Sequence, residues 1–266
     1  MMSMPWKMTS AAACALAFSL EVLAIVGWMR TKPPAAPFRP ALVQARSSIE
    51  LPQVEAQQQV VVPEPTAQRE DSYYAQLRSK IRWVETRIGS DKLVTPDDSS
   101  RVLLAKSAAD RAGLSQVGLS FKDVYGLIDA ETSWIPRLGS SKDGTPNLGL
   151  AQFEPATAHA LGLRNPDDPV EAIHVAALHM KEAAEWSASR IAGLKLNPDD
   201  RAAKLREGVS IFYNLSTRGR NRWNGTNTEL LPVETRLHIR NARSGARYAA
   251  QLDAHLGPSG FMLARN

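Results

Sequence analysis

From Asp71 onward the apolar residues return at intervals of three and four, the spacing of one helix face. Tyr74, Leu77, Ile81, Val84 and Ile88 predict a first helix that stops before Gly89. Asp97-Asp98-Ser99 can cap a second, running through Val102, Leu103 and Ala109 to Gly113. Ser120 with Asp123 forms a capping box for a third, Phe121 to about Thr132. Pro155 suits the first position of a short helix that stops at Gly162. Asp168 caps a longer one that begins at Pro169, with the stripe Ile173, Ala176, Ala177, Met180 and Ala184. Asp199-Asp200 opens another that ends near Tyr213, residues 216–228 read as loop, and a last helix covers Val233 to Leu256. No useful length alternates with period two. The expected class is all-α, with one core over 115–256 after a helical lead-in at 71–114, and a tail at 257–266.

The N-terminal pattern differs. Residues 8–29, MTSAAACALAFSLEVLAIVGWM, carry a single charge, Glu21, and are long enough to cross a bilayer. Lys7 lies before them and Arg30 and Lys32 after, so flanking charge gives little orientation. Residues 1–30 read as a signal-anchor or transmembrane segment, and the alternative is a cleaved signal peptide. No clean A-x-A cleavage site follows, and the Ala11-Ala12-Ala13 run before Cys14 is a poor lipidation signal. Residues 31–70 hold seven of the 17 prolines and the run Gln57-Gln58-Gln59, the composition of a disordered linker. Such a tether could reach on the order of 100 Å. Either reading sends the rest of the chain out of the cytoplasm.

Composition narrows the chemistry. Hydrophobic residues at 44% and charged residues at 22% fit a globular domain. A single cysteine rules out an intramolecular disulfide framework and thiolate zinc sites. The net charge of +5 is concentrated. Arg218, Arg220, Arg222, Arg236, Arg240, Arg243 and Arg247 face only Glu229 and Glu234 in that stretch. It is either a solvated surface or a basic rim for an anionic polymer. No nucleic-acid motif accompanies it, so nucleic acid is not an expected partner. There is no HExxH, G-x-S-x-G or P-loop, His174 and His179 read as surface histidines, and no metal or cofactor is implied.

One carboxylate stands apart. Glu131 sits near the end of the third helix, with Val124, Leu127 and Ile128 seven, four and three residues before it. That spacing puts the carboxylate on the apolar face, where desolvation and the helix dipole favour the neutral acid. A group so placed can act as a general acid. Pro136 then opens the chain into a loop.

The motifs around it form an ordered series. Glu131-Thr132-Ser133-Trp134-Ile135-Pro136 is followed by Gly149-Leu150-Ala151-Gln152, Pro155-Ala156-Thr157-Ala158, Phe212-Tyr213-Asn214 and Pro232-Val233-Glu234-Thr235. Over about half the chain this resembles the lytic transglycosylase family with the soluble-lytic-transglycosylase catalytic domain. Several positions depart from the family pattern. Thr132 stands for the usual Ser and Ala151 for Met, while Ala172 and Ala176 stand for Asn and Gly. His179 and His238 each stand for a Tyr, and Leu215-Ser216-Thr217 for a small turn. The loop through Lys142-Asp143-Gly144 is longer than usual.

The resemblance implies a lysozyme-like, mainly α-helical catalytic domain that cleaves the MurNAc-β-1,4-GlcNAc bond of peptidoglycan without water, leaving a 1,6-anhydro end. It implies Glu131 as acid and then base. Gln152, Tyr213 and Asn214 would line the cleft, with Tyr213 near the acid, and Ser140, Ser141 and Glu234 would be weaker glycan or peptide contacts. The implied location is the bacterial inner membrane with the domain in the periplasm, or the periplasm alone if the signal is cleaved. Implied partners are the peptidoglycan glycan strands, the membrane through the N-terminal segment and an envelope-spanning secretion, conjugation or pilus machine. Three rivals remain: a goose-lysozyme-like hydrolase, a non-catalytic peptidoglycan-binding scaffold and an arginine-based nucleic-acid binder. If 8–29 is an uncleaved anchor, the mature chain stays with membranes through carbonate extraction and keeps its own N-terminus. Recovery of a chain that begins after Thr31 in the soluble envelope fraction would refute the anchor.

Overall fold

The computed structural model describes residues 66–141 and 144–257. The 8–29 segment, the tether up to residue 65 and the tail from residue 258 lie outside the described residues. No helix among the described residues is long and apolar enough to cross a membrane.

The fold is mainly helical. It begins with α1 (Thr66–Lys80), which takes in the last residues assigned above to the tether. The β1 (Trp83–Ile88) and β2 (Asp91–Pro96) hairpin follows, then α2 (Asp98–Ala112) and α3 (Phe121–Thr132). A second, minimal ribbon pairs β3 (Gly139–Ser140) with β4 (Pro146–Asn147). Then come α4 (Pro155–Ala160), α5 (Pro169–Ile191), α6 (Pro198–Asn214), the single turn α7 (Thr217–Arg220) and α8 (Val233–Leu256).

The caps act where the sequence places them. Asp97 accepts from the Ser100 amide, and Gly113 closes α2 in the left-handed region. The Ser120 amide donates to Asp123 Oδ2 at 2.8 Å at the start of α3. Asp168 accepts from the Val170 amide ahead of α5.

The helical reading fails between Arg82 and Pro96. Trp83 pairs with Pro96, and Ile88 with Asp91, as an antiparallel hairpin around Gly89-Ser90. Gly89 has φ +62°, which glycine, lacking a Cβ, adopts in a two-residue turn at little cost. Tyr74 and Leu77 do face the core, but Val84 and Ile88 stay exposed. Their three-and-four spacing continued the α1 pattern without a helix face to serve. The segment 216–228, read as loop, contains α7, whose N-cap Ser216 accepts from the Gly219 amide.

The core also starts earlier than residue 115. Tyr74 and Leu77 of α1 and Val102, Leu104, Ala105 and Ala108 of α2 belong to the same buried cluster as Val124, Ile128, Ile173, Met180 and Phe212. Alanines 176, 177, 183 and 184 let α5 sit at its centre. His174, expected at the surface, is 3% exposed. Its Nδ1 donates to the Val170 carbonyl at 2.7 Å, which leaves Nε2 to accept from Ser107 Oγ at 2.9 Å.

α3 and α8 touch backbone to backbone. A Cβ on Gly126 would lie 2.2 Å from the Ala242 carbonyl oxygen, and one on Gly245 would lie 3.0 Å from Gly126 Cα. In an ordinary helix Gly→Ala gains up to about 1 kcal/mol. Here Gly126→Ala should instead lower stability by about 2 kcal/mol, because the helices must separate. Gly193, with nothing within 4 Å of an added Cβ, is the control. Thermal melts in which both alanine variants hold or gain would contradict the close crossing.

Candidate functional site

The end of α3 is held from three directions. Ser133 and Trp134 adopt φ of +53° and +62° and turn the chain sharply out of the helix. Thr95 Oγ1, from the hairpin, donates to the Trp134 carbonyl at 2.6 Å, and the Trp134 indole is wholly buried against Tyr125. Thr132 Oγ1 lies 3.0 Å from the Leu150 carbonyl, tying the helix end to the Gly149–Gln152 turn. Arg137 Nη2 donates to the Glu131 carbonyl at 3.0 Å.

Glu131 therefore stands on a rigid helix end beside a cleft of about 520 Å³. The apolar-face placement holds, since Val124, Leu127 and Ile128 are buried. The carboxylate itself, with a side chain 11% exposed, meets an imidazole. His238 Nε2 of α8 is 3.0 Å from Glu131 Oε1.

Of the other candidates, Gln152, Tyr213, Asn214, Ser140 and Glu234 line the same cleft. Gln152 takes φ +51° and its Nε2 donates to the Arg137 and Gly149 carbonyls, at 2.9 and 2.8 Å. Its amide braces two loops across the cleft wall, and Oε1 crowds Gly139, where a Cβ would sit 2.1 Å away. Ser141 is buried outside the lining and donates to Glu154 Oε1 at 2.5 Å, so it supports the wall through that carboxylate.

Tyr213 and Asn214 end α6. The Tyr213 hydroxyl donates to the Ala176 carbonyl at 2.6 Å and is spent on α5. Burial, with the Glu131 and Glu182 charges behind it, pushes its phenol well above the ordinary range. Asn214 is 2% exposed and accepts from Thr235 Oγ1 at 2.6 Å, while its Nδ2 has no partner among the described residues. A buried amide donor without a partner, in a residue lining a cleft, is suited to a ligand oxygen.

The cleft also holds Glu154, His179, His238, Arg137 and Asn241, which no local sequence signal marks as chemistry. His238 enters the sequence pattern only as a departure from tyrosine, and His179, also expected at the surface, has a side chain 15% exposed. His179 packs edge-on against Tyr213 at 4.9 Å and Phe212 at 5.2 Å, and its Nδ1 bonds Glu182 Oε2 at 3.0 Å. That hydrogen bond, helped by Arg220, holds the Glu182 carboxyl below its usual range against partial burial.

None of the seven arginines between Ser216 and Ala250 is among the lining residues. Arg220 lies 3.6 Å over the Phe212 ring, Arg236 pairs with Glu229 at 3.5 Å and Arg243 with Glu207 at 3.4 Å. Arg243 and Arg247 edge a separate groove between α3, α6 and α8. Among the described residues no cluster of His, Cys, Asp and Glu could hold a metal ion.

Comparison with protein-family models, curated proteins and solved structures finds no match.

The Tyr213 geometry gives a test of role. Tyr213→Phe should lower stability by about 1 kcal/mol, the cost of leaving the buried Ala176 carbonyl unpaired. An unchanged melting temperature would show that the hydroxyl is not committed to α5.

Proposed function

We propose that the chain is a peptidoglycan lytic transglycosylase with a lysozyme-like catalytic domain, in which Glu131 is the single acid and base. One observation carries the reading. Glu131, on a helix end braced from three sides, shares one cleft with Gln152, Tyr213, Asn214 and Glu234. These residues come from motifs spread over a hundred positions of the chain, and the fold brings them to one place.

The reaction follows from one carboxyl group. Glu131 in its acid form donates its proton to the glycosidic oxygen as the C1–O bond breaks and the bonding pair moves to that oxygen. The substrate acetamide stabilises the cationic C1. The resulting carboxylate takes the proton of the C6 hydroxyl, and that oxygen closes on C1. The proton count balances with Glu131 again acidic, and no water is consumed. The Asn214 Nδ2 donor suits a glycan carbonyl or hydroxyl, and Gln152 and Ser141 hold the walls.

The tethered location outside the cytoplasm, with glycan strands as substrate and an envelope-spanning machine as client, belongs to the same proposal. It rests on the 8–29 and 31–70 patterns.

A second reading has its own observation. The motif series singles out no second catalytic carboxylate, but Glu154 and Glu234, the latter expected only as a contact, also line the cleft. Either could activate water, as an inverting hydrolase requires. Digestion of purified sacculi by the full-length chain decides between them by mass, since the anhydro product is one water lighter than the hydrolysed one. Glu131→Gln should lower turnover about 100-fold or more, the scale of a lost general acid. More than a tenth of wild-type turnover in that variant would end the assignment of Glu131.

A further inference from the structure

We propose that His238 is the positioning residue for Glu131, fixing its Oε1 and so selecting Oε2 as the oxygen that carries the transferred proton. This rests on the acid–base reading of Glu131 given above.

The contact joins two helices far apart in sequence. His238 lies one turn into α8, with a side chain 4% exposed, and its Nε2 is 3.0 Å from Glu131 Oε1. Its other ring nitrogen, Nδ1, is buried and has no hydrogen-bond partner among the described residues. The carboxylate facing Nε2 assigns the ring proton. An ionised carboxylate only accepts, so the atom facing it must donate, and Nε2 carries the hydrogen. The opposite arrangement would put the carboxyl proton on Oε1 and donate it to Nε2. The ring hydrogen would then sit on Nδ1, as a buried donor that no acceptor among the described residues faces.

The consequence reaches through the cycle. With Nε2–H holding Oε1, the carboxyl plane is fixed about the end of α3. Oε2, for which the described residues supply no hydrogen-bond donor, is left to the substrate. When Oε2–H gives up its proton, the new charge is shared with an oxygen that already accepts a hydrogen bond. When Oε2 takes the C6 hydroxyl proton back, His238 has not changed state. The ring orients and stabilises, and moves no proton itself. Thr235, one turn before His238, holds Asn214 at 2.6 Å, so a single face of α8 positions the acid and the unpartnered Asn214 donor together.

The chain has five histidines, which makes their imidazole nitrogens resolvable by 15N NMR on the full-length protein in detergent. One imidazole should be protonated on Nε2 with a bare Nδ1, and its Nε2 resonance should move in Glu131→Ala. Kinetics on sacculi give the second arm. His238→Phe keeps a ring but no donor, and should lower kcat about ten-fold or more with KM within about two-fold, the pattern of an interaction felt in the transition state. His238→Gln restores an N–H at that position and should recover activity to within about three-fold of wild type.

A proton found on Nδ1, a His238→Phe enzyme with full kcat, or equal losses in the Phe and Gln variants would each overturn the proposal. If His238→Phe does not fold, the wild-type tautomer and the Gln variant still decide it. If the wild-type chain releases no muropeptides at all, the transglycosylase reading fails. The nitrogen resonances then decide the His238–Glu131 contact independently.

Discussion

Everything at the cleft depends on how closely α3 and α8 approach. Gly126 and Gly245 remove the two side chains that would hold these helices apart, and the backbone of one rests on the other. The helices run in opposite directions across this point, so moving from Gly126 toward Glu131 on α3 means moving from Ala242 toward His238 on α8. A helix pair at ordinary spacing is 8–10 Å apart, about the reach of two long side chains. The closer crossing lets a glutamate and a histidine meet at 3.0 Å while both remain almost buried. Glycine in a helix interior costs about 1 kcal/mol, and here the cost is offset by contact that any larger residue would prevent.

The crossing also explains why the segment before residue 115 belongs with the site. α3 ends where it does because Trp134 is buried at φ +62° and its carbonyl is held by Thr95. Thr95 sits on β2, and Arg101 of α2 reaches it through Nη2 at 3.0 Å. The hairpin and α2 therefore clamp the turn that presents Glu131. Asp129, two residues before Glu131 and against Gly245, has its carboxyl pushed up by burial, partly countered by Arg101. Its ionised form is therefore less favourable in the folded chain than in the unfolded one. The stability it withholds is recovered as pH falls through its raised folded value.

Local chemistry was legible in the sequence and distant chemistry was not. Asp97, Ser120 and Asp168 cap helices because a short polar side chain can bond an amide two or three residues away, a relation visible in any window. The β1–β2 hairpin was hidden because Val84 and Ile88 kept helical spacing after α1 had ended. Gly89-Ser90, the two-residue turn that marks it, is equally the signature of a helix stop. Glu131 could be found because Leu127 and Ile128 are its helical neighbours. His238 could not, because it is 107 residues away and nothing local distinguishes a buried histidine from an exposed one. The same limit placed His174 at the surface, when a neighbour 67 positions away takes its Nε2. Only the resemblance singles out the two histidines of the cleft, since His179 and His238 stand where the family it resembles usually carries tyrosine.

Charge along the chain is a poorer guide than charge in space. The arginine stretch looked like a rim for an anionic polymer, yet those side chains turn toward Phe212, Glu207, Glu229 and solvent. Among the described residues the cleft presents Glu131, Glu154 and Glu234 against the single guanidinium of Arg137. An anionic segment would meet like charge there, whereas a neutral sugar with hydroxyl and acetamide groups would meet hydrogen-bonding partners. On a glycan strand that bears carboxylates only on its peptide stems, these preferences work together. Under the proposed function the sugar backbone would enter the acidic cleft and the stems would be directed away from it. Exposed arginines such as Arg218 and Arg222 would then attract the polymer from outside the cleft.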